Sequence, residues 1–134
     1  MDKDDWLKIS EEKLELFVKD KLANEGYQIN KFPKDPNLDI EAFKDGKYYV
    51  IEIKGSEKPD GNFFKSEQEN SHFSRGLFQL CCKFPIYGEN AKYIMAIPDF
   101  GKTTRFIEQI AIVIKKLGVE IWVINKKMEI KVYK

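Results

Sequence analysis

The strongest constraint in this 134-residue chain is a two-residue turn, Asp45-Gly46, set between runs of strand-forming residues at 38–44 and 47–54. An Asp-Gly pair is suited to a type I′ hairpin, whose two central residues both need positive φ. With those two residues as the loop, Lys44 faces Lys47 and the whole register follows. Phe43 faces Tyr48, Ala42 faces Tyr49, Ile40 faces Ile51 and Asp39 faces Glu52. Side chains alternate with a period of two, so Lys54 joins Asp39 and Glu52 on one face. Leu38, Ile40, Ile51 and Ile53 are expected on the other, apolar face.

Two carboxylates directly opposed on a sheet repel, at a cost of a few tenths to about 1 kcal/mol. The pairing makes sense if a hard cation lies between them, and magnesium is commonly held by one or two carboxylates. A lysine beside such a cation can orient or deprotonate a water, or neutralise charge on a phosphoryl group. The competing reading is an ordinary solvated hairpin face. An acid-any-Lys tripeptide occurs four times here, ending at Lys13, Lys47, Lys54 and Lys131, so the tripeptide by itself means little. Glu129-Ile130-Lys131 even repeats the letters of Glu52-Ile53-Lys54 and serves as an internal control. With Lys126-Lys127 as its turn, Glu129 faces Ile124 and meets no acid.

The rest of the chain reads as one α/β domain over residues 10–134, preceded by a charged tail at 1–9. Ser10 is an N-cap, Glu11 and Glu12 occupy the first helical turn, and Ile9 and Leu14 form a hydrophobic staple. Leu14, Phe17, Val18 and Leu22 supply the stripe of a helix over 10–25, stopped at Gly26. A short strand is expected over 27–32, with a turn at Pro33 and Pro36. Residues 55–71 read as a long polar loop, of the kind that often carries function. A second helix is expected over 74–84 with Leu77, Leu80, Cys81 and Phe84 inward. A buried strand follows at 92–98. A third helix over 103–117 turns Phe106, Ile107, Ile110, Ala111 and Ile114 to the core. Runs at 119–125 and 128–133 form a closing hairpin.

Basic and acidic residues nearly cancel, 23 against 22, which excludes a polybasic tail but not a local patch. Only Arg75 and Arg105 are arginines. Arginine is the usual bidentate reader of guanine, so extensive reading of a DNA major groove is not expected. Cys81 and Cys82 are adjacent in a helical pattern and suit neither a disulfide nor a zinc site. With no secretory leader and no apolar run of membrane-spanning length, the expectation is a cytoplasmic chain without membrane association.

A helix bearing glutamates, then Asn37-Leu38-Asp39, twelve residues, and Glu52-Ile53-Lys54 resembles the PD-(D/E)XK nuclease superfamily. Arg75-Gly76-Leu77-Phe78-Gln79-Leu80 is similar to the glutamine-bearing helix that follows the lysine strand in its resolvase-like, Mrr-like and RecB-like members. Leu38 stands where the superfamily name has proline. The resemblance implies a restriction-endonuclease-like core, α-β-β-β-α-β-α-β with a C-terminal β-hairpin, its central mixed sheet flanked by helices. It implies Asp39 and Glu52 as ligands of Mg2+ or Mn2+, the Ile53 carbonyl as a further ligand, and Lys54 as the catalytic lysine. Gln79 would position the lysine or the attacking water. A first-helix glutamate, about eleven residues before the terminal glycine, completes the metal site in many resolvase-like members. Glu15 has that spacing from Gly26, and Glu12, one turn earlier, competes with it. Arg75, Lys58, Lys65 and His72 are candidates for contact with the nucleic-acid backbone, His72 being expected at a solvent-exposed loop–helix junction. Phe63 and Phe64 either stack on bases or pack the loop down.

The function implied is metal-dependent phosphodiester hydrolysis, of DNA, with low sequence specificity and selectivity for a structure or an end. The alternative is a nuclease-fold module that binds nucleic acid or protein without cutting. Cleavage of both strands of a duplex would favour a two-fold homodimer, with the third helix and closing hairpin as contacts.

Overall fold

The Asp45-Gly46 turn closes its hairpin as the residue types demand, with φ of 53° and 78°. Strand β2 (Ile40–Lys44) pairs antiparallel with β3 (Lys47–Ile53) in the expected register, from Lys44↔Lys47 to Ile40↔Ile51. The computed structural model describes residues 6–31, 33–64, 66–100 and 102–134. Helix α1 (Glu11–Asn24) precedes a two-residue strand, β1 (Gln28–Ile29). After β3 come α2 (Ser66–Cys81), a single turn α3 (Phe84–Tyr87), β4 (Lys92–Pro98), α4 (Lys102–Leu117) and the hairpin β5 (Val119–Ile124) and β6 (Ile130–Tyr133). The six strands lie in sequence order in one mixed sheet. Pairs β3–β4 and β4–β5 are parallel and the others antiparallel. The class is α/β, and among the described residues no helix is long and apolar enough to cross a membrane.

Each sheet face has its own core. Leu14, Val18 and Leu22 of α1 pack on Ile40, Ala42, Ile51, Ile53, Ile94 and Ala96. Leu80 of α2 and Ile107 and Ile114 of α4 cover Val50, Met95, Ile97 and Ile121 on the opposite face. The alternation of β3 therefore sends Ile51 and Ile53 toward α1, and Val50 and Glu52 toward α2. Leu38 departs from the expected face: it joins Val50 and Leu80 on the α2 side. The ladder ends at the Ile40↔Ile51 rung, so the chain before Ile40 no longer obeys the two-residue period.

Other differences also have local causes. The first strand stops at Ile29 because Asn30 turns to φ 48°, and its side-chain oxygen accepts the Glu41 N–H at 2.7 Å in place of a backbone partner. Helix α2 starts at Ser66, inside the expected loop; Glu67, Gln68 and Glu69 in its first turn are all good helix formers. It ends at Cys81, so Cys81 and Phe84 fall out of the inward phase and are exposed. Phe106 likewise lies at the margin of α4, 36% exposed. The last hairpin has a three-residue loop, 126–128, in place of Lys126-Lys127. Asn125 Oδ1 accepts the N–H groups of Lys127 and Glu129, both at 2.9 Å, and Met128 takes φ 62°. Ile124 therefore pairs with Ile130, and Glu129 lies opposite Asn125.

What matters most for the site is how α1 begins. Ser10 caps the helix, its hydroxyl accepting the Lys13 N–H at 3.2 Å, and Ile9 and Leu14 are both buried as a staple requires. Leu7 and Ile9, just before the cap, are tied to the chain that follows β3. Ile9 O accepts the N–H groups of Ser56 and Glu57 at 2.8 and 3.1 Å, and the Ser56 hydroxyl bonds Leu7 O and Ile9 N–H. Gly55 permits this contact. A Cβ there would lie 2.6 Å from Glu11 N and 2.7 Å from Ile9 O, closer than atoms can approach. Gly55→Ala is expected to destabilise the protein by about 1–3 kcal/mol, the usual cost of overpacking. A urea melt measures it, and an unchanged midpoint would show that α1 is not seated as described.

Candidate active site

The hairpin, the first turn of α1 and the middle of α2 converge at the C-terminal end of β3, where ligands commonly bind in open α/β sheets. An open cleft of about 230 Å³ lies there. Asp39, Glu52 and Lys54 line it together with Gln79 from α2, so these four sequence candidates share one site. Glu11, Asn37 and Lys83 complete the lining.

Asp39 is past the last rung, yet it is fixed by the hairpin: its Oδ2 accepts the Ile53 N–H at 2.8 Å. Glu52 is 5% exposed, held within the sheet on the α2 side. Its carboxyl is pushed up from 4.5 to about 8, first by burial, then by its hydrogen bond with Asp39 and by the charge of that neighbour. Lys83 and Lys54 oppose the shift without cancelling it. The pair is therefore short of positive charge, and near neutral pH Glu52 is driven to keep a proton. A divalent cation would supply that charge. Among the described residues no group of three or more His, Cys, Asp and Glu side chains is arranged to hold a metal ion. Two carboxylates at one cleft suit magnesium, which is commonly held by one or two and keeps much of its water.

Lys54 is threaded through a narrow gap. Its side chain is only 13% exposed, and a Cβ on Gly76 of α2 would lie 3.0 Å from Lys54 Cγ and Cε. Any side chain at 76 would displace the lysine or Met95, whose Cε would lie at 2.8 Å. The ammonium ends 4.0 Å from Glu11 Oε1, and the same oxygen meets His72 Nε2 at 2.7 Å. The hydrogen bond from His72 is the largest cause holding the Glu11 carboxyl below its usual range, assisted by Lys54 and the Gly55 backbone. Lys83 is engaged by Asp35 at 2.7 Å, and that contact is the main cause of a lowered Asp35 carboxyl.

The first-helix acid in the cleft is thus Glu11, neither Glu15 nor Glu12. Glu15 pairs with Lys19 at 3.0 Å, one turn along, and Glu12 is exposed. Eleven residues before Gly26 lies one turn past the α1 residue that lines the cleft, because the cleft meets α1 at its capped end. His72 lies inside α2, half-buried, with its ring 4.6 Å from that of Phe64. Arg75 is exposed one turn later and, with Phe64, Ser71 and His72, lines a second groove of about 290 Å³. Lys58 lines neither cleft and pairs with Asp60 at 3.7 Å. Lys65 lies outside the described residues. Phe63 packs the loop down, stacked on Phe100 at 4.9 Å with Trp6 at its edge.

Lys83 and Glu11 were not legible as site residues. Glu11 carried one signal, its place directly after the Ser10 cap, where a helix terminus favours an anion. Nothing in the sequence says that this terminus meets β3.

The raised Glu52 carboxyl has a consequence for stability. The metal-free native state binds a proton more tightly than the unfolded chain does, so stability is lost as pH rises from about 4.5 through about 8. Glu52→Gln removes this loss. At pH 8.5 without divalent metal the variant is expected to exceed wild type by on the order of 1 kcal/mol, with a smaller difference at pH 5. Urea melts at the two pH values test this, and an equal difference at both would mean that Glu52 ionises normally.

No protein-family model, curated protein or solved structure matches this chain, so the geometry of the cleft itself carries the functional reading.

Proposed function

We propose that the protein is a Mg2+- or Mn2+-dependent nuclease of the PD-(D/E)XK type, hydrolysing phosphodiester bonds of DNA with low sequence specificity. The observation that carries this reading is a charge-deficient carboxylate pair, Glu52 buried and Asp39 half-buried, with the Lys54 side chain just past the end of β3 in the same cleft. The order of elements supports a restriction-endonuclease-like arrangement: α1, the β2–β3 hairpin, an α2 crossover to parallel β4, and α4 leading to β5.

In this reading Asp39 and Glu52 hold the cation, with the Ile53 carbonyl as a further ligand. Bound there, the cation would acidify a water and neutralise charge on the phosphate. The protein's own groups do the rest. The Ile53 N–H fixes the Asp39 carboxylate, so one donor is in place before binding. Lys54 presents an ammonium from a stem that Gly76 confines, and can stabilise charge developing on the phosphoryl oxygens. Gln79 lines the α2 wall of the same cleft and would orient substrate or water. Arg75 and His72 offer donors to the sugar–phosphate backbone in the adjoining groove. Low sequence specificity follows from the scarcity of arginine, since Arg75 and Arg105 are the only two.

Cleavage of supercoiled plasmid, single-stranded DNA and a branched junction, each with millimolar magnesium or manganese, tests the assignment. Wild type is expected to cut at least one of them. Asp39→Asn and Lys54→Met should each lower the rate by about 100-fold or more, the scale of one catalytic proton-transfer or electrostatic group. Glu129→Gln, in the matching tripeptide of β6, should leave the rate unchanged. DNA binding without cleavage under all these conditions would favour the silent binding module.

A further inference from the structure

We propose that Glu11 and His72 are a positioning pair which holds the Lys54 ammonium away from the Asp39–Glu52 carboxylates, so that those oxygens stay available to a cation. The proposal rests on the reading of that pair as a metal site. A largely covered lysine side chain lining one cleft with two crowded acids would ordinarily collapse onto them, since a nearby opposite charge relieves both burial and repulsion. Here, among the described residues, the ion-pair partner of Lys54 is Glu11, with Nζ 4.0 Å from Oε1.

Glu11 can do this because it is itself held from three directions. It is the first residue of α1, where the helix dipole favours a negative charge. The Gly55 backbone interacts with its carboxylate from the end of β3. His72 Nε2 reaches it at 2.7 Å from α2, on the other side of the sheet from the body of α1. An ionised carboxylate only accepts hydrogen bonds, so Nε2 carries the proton. The Phe64 ring, 4.6 Å away at 33°, backs the imidazole. Gly76 leaves room for the Lys54 stem, since a Cβ there would lie 3.0 Å from its Cγ and Cε. Loss of Glu11 would leave Asp39 and Glu52 as the next anions lining the cleft.

The test is divalent-cation affinity, measured by calorimetry with Ca2+ as a probe that needs no turnover. Relative to wild type, Glu11→Gln is expected to weaken binding about tenfold, as loss of groups that orient metal ligands typically does. Glu11→Gln combined with Lys54→Met should restore it, because no ammonium is left to compete. His72→Ala should weaken binding in the same direction, and His72→Gln, which keeps an N–H donor, should partly recover it. A merely structural role for Glu11 predicts no restoration in the double variant, and that result would overturn the proposal. A crystal structure of metal-free Glu11→Gln gives an independent reading. Nζ of Lys54 should be found on Asp39 or Glu52; an unmoved Nζ also overturns the proposal. If wild type bound no cation at all, the metal site would fail, while the position of Nζ in the variant would still decide what holds Lys54.

Discussion

Everything at the cleft depends on a backbone contact with no room in it, the seating of the first turn of α1 on Gly55 at the end of β3. Ile9 O takes two N–H groups from Ser56 and Glu57, and the Ser56 hydroxyl ties back to Leu7 and Ile9. These bonds link residues 47 to 49 apart in sequence and tie Leu7 and Ile9 to the chain just after β3. The helix axis is fixed at this end by backbone bonds and at its middle by Leu14, Val18 and Leu22 on the sheet. Glu11 inherits its place from that docking. It needs no side-chain packing of its own, which is why it can remain partly exposed and charged.

The cleft is built against its own electrostatics. Three acids, Glu11, Asp39 and Glu52, and two lysines, Lys54 and Lys83, line one small opening. The charges are not paired off by proximity to the most buried acid. Lys83 goes to Asp35 and Lys54 to Glu11, leaving Glu52 with an acid for its neighbour. An arrangement chosen for stability would have closed Lys54 on Glu52. Local rules broken without a compensating contact are expected where a site keeps a binding capacity in reserve. The fold bears this because the rest of β3 is so well packed: Val50, Ile51 and Ile53 are all essentially inaccessible to solvent.

Where the sequence was legible, a local signal coincided with the tertiary requirement. Asp45-Gly46 determined a register because its turn geometry admits one loop length, and five rungs obey it. Ser10 and Gly26 marked the ends of α1 because each satisfies backbone groups that a helix must leave open. Legibility failed where a side chain substituted for backbone. Asn30 ended β1 early, and Asn125 captured two N–H groups to lengthen the last turn by one residue. Either asparagine has a plain alternative in an extended strand, and only the tertiary context selects between them. Of the site, the register pointed to the Asp39, Glu52 and Lys54 grouping, but the ladder ends one rung short of Asp39, which the Ile53 N–H holds instead; Gln79 was named from the family resemblance. Glu11 was not, because its role depends on where a helix end lands. No periodicity encodes that.

The repeated Glu-Ile-Lys tripeptide shows how little of a site resides in its letters. In β3 the strand is flanked on both sides, parallel to β4 and antiparallel to β2, so Glu52 is buried and must answer for its charge. In β6 the strand is the edge of the sheet. Glu129 lies in the exposed turn, Asn125 Nδ2 is 3.4 Å from its carboxylate, and Lys131 rests over the ring of Tyr133 at 4.9 Å. Water screens both charges there, and neither residue faces a second acid. In β3 two features set the same three residues apart: a second acid, Asp39, held by the Ile53 N–H just past the hairpin ladder, and a glycine on α2 that leaves room for the lysine stem. The cleft thus depends on the burial of a strand in the middle of the sheet and on what the crossover helix omits, at Gly76, as much as on what β3 presents.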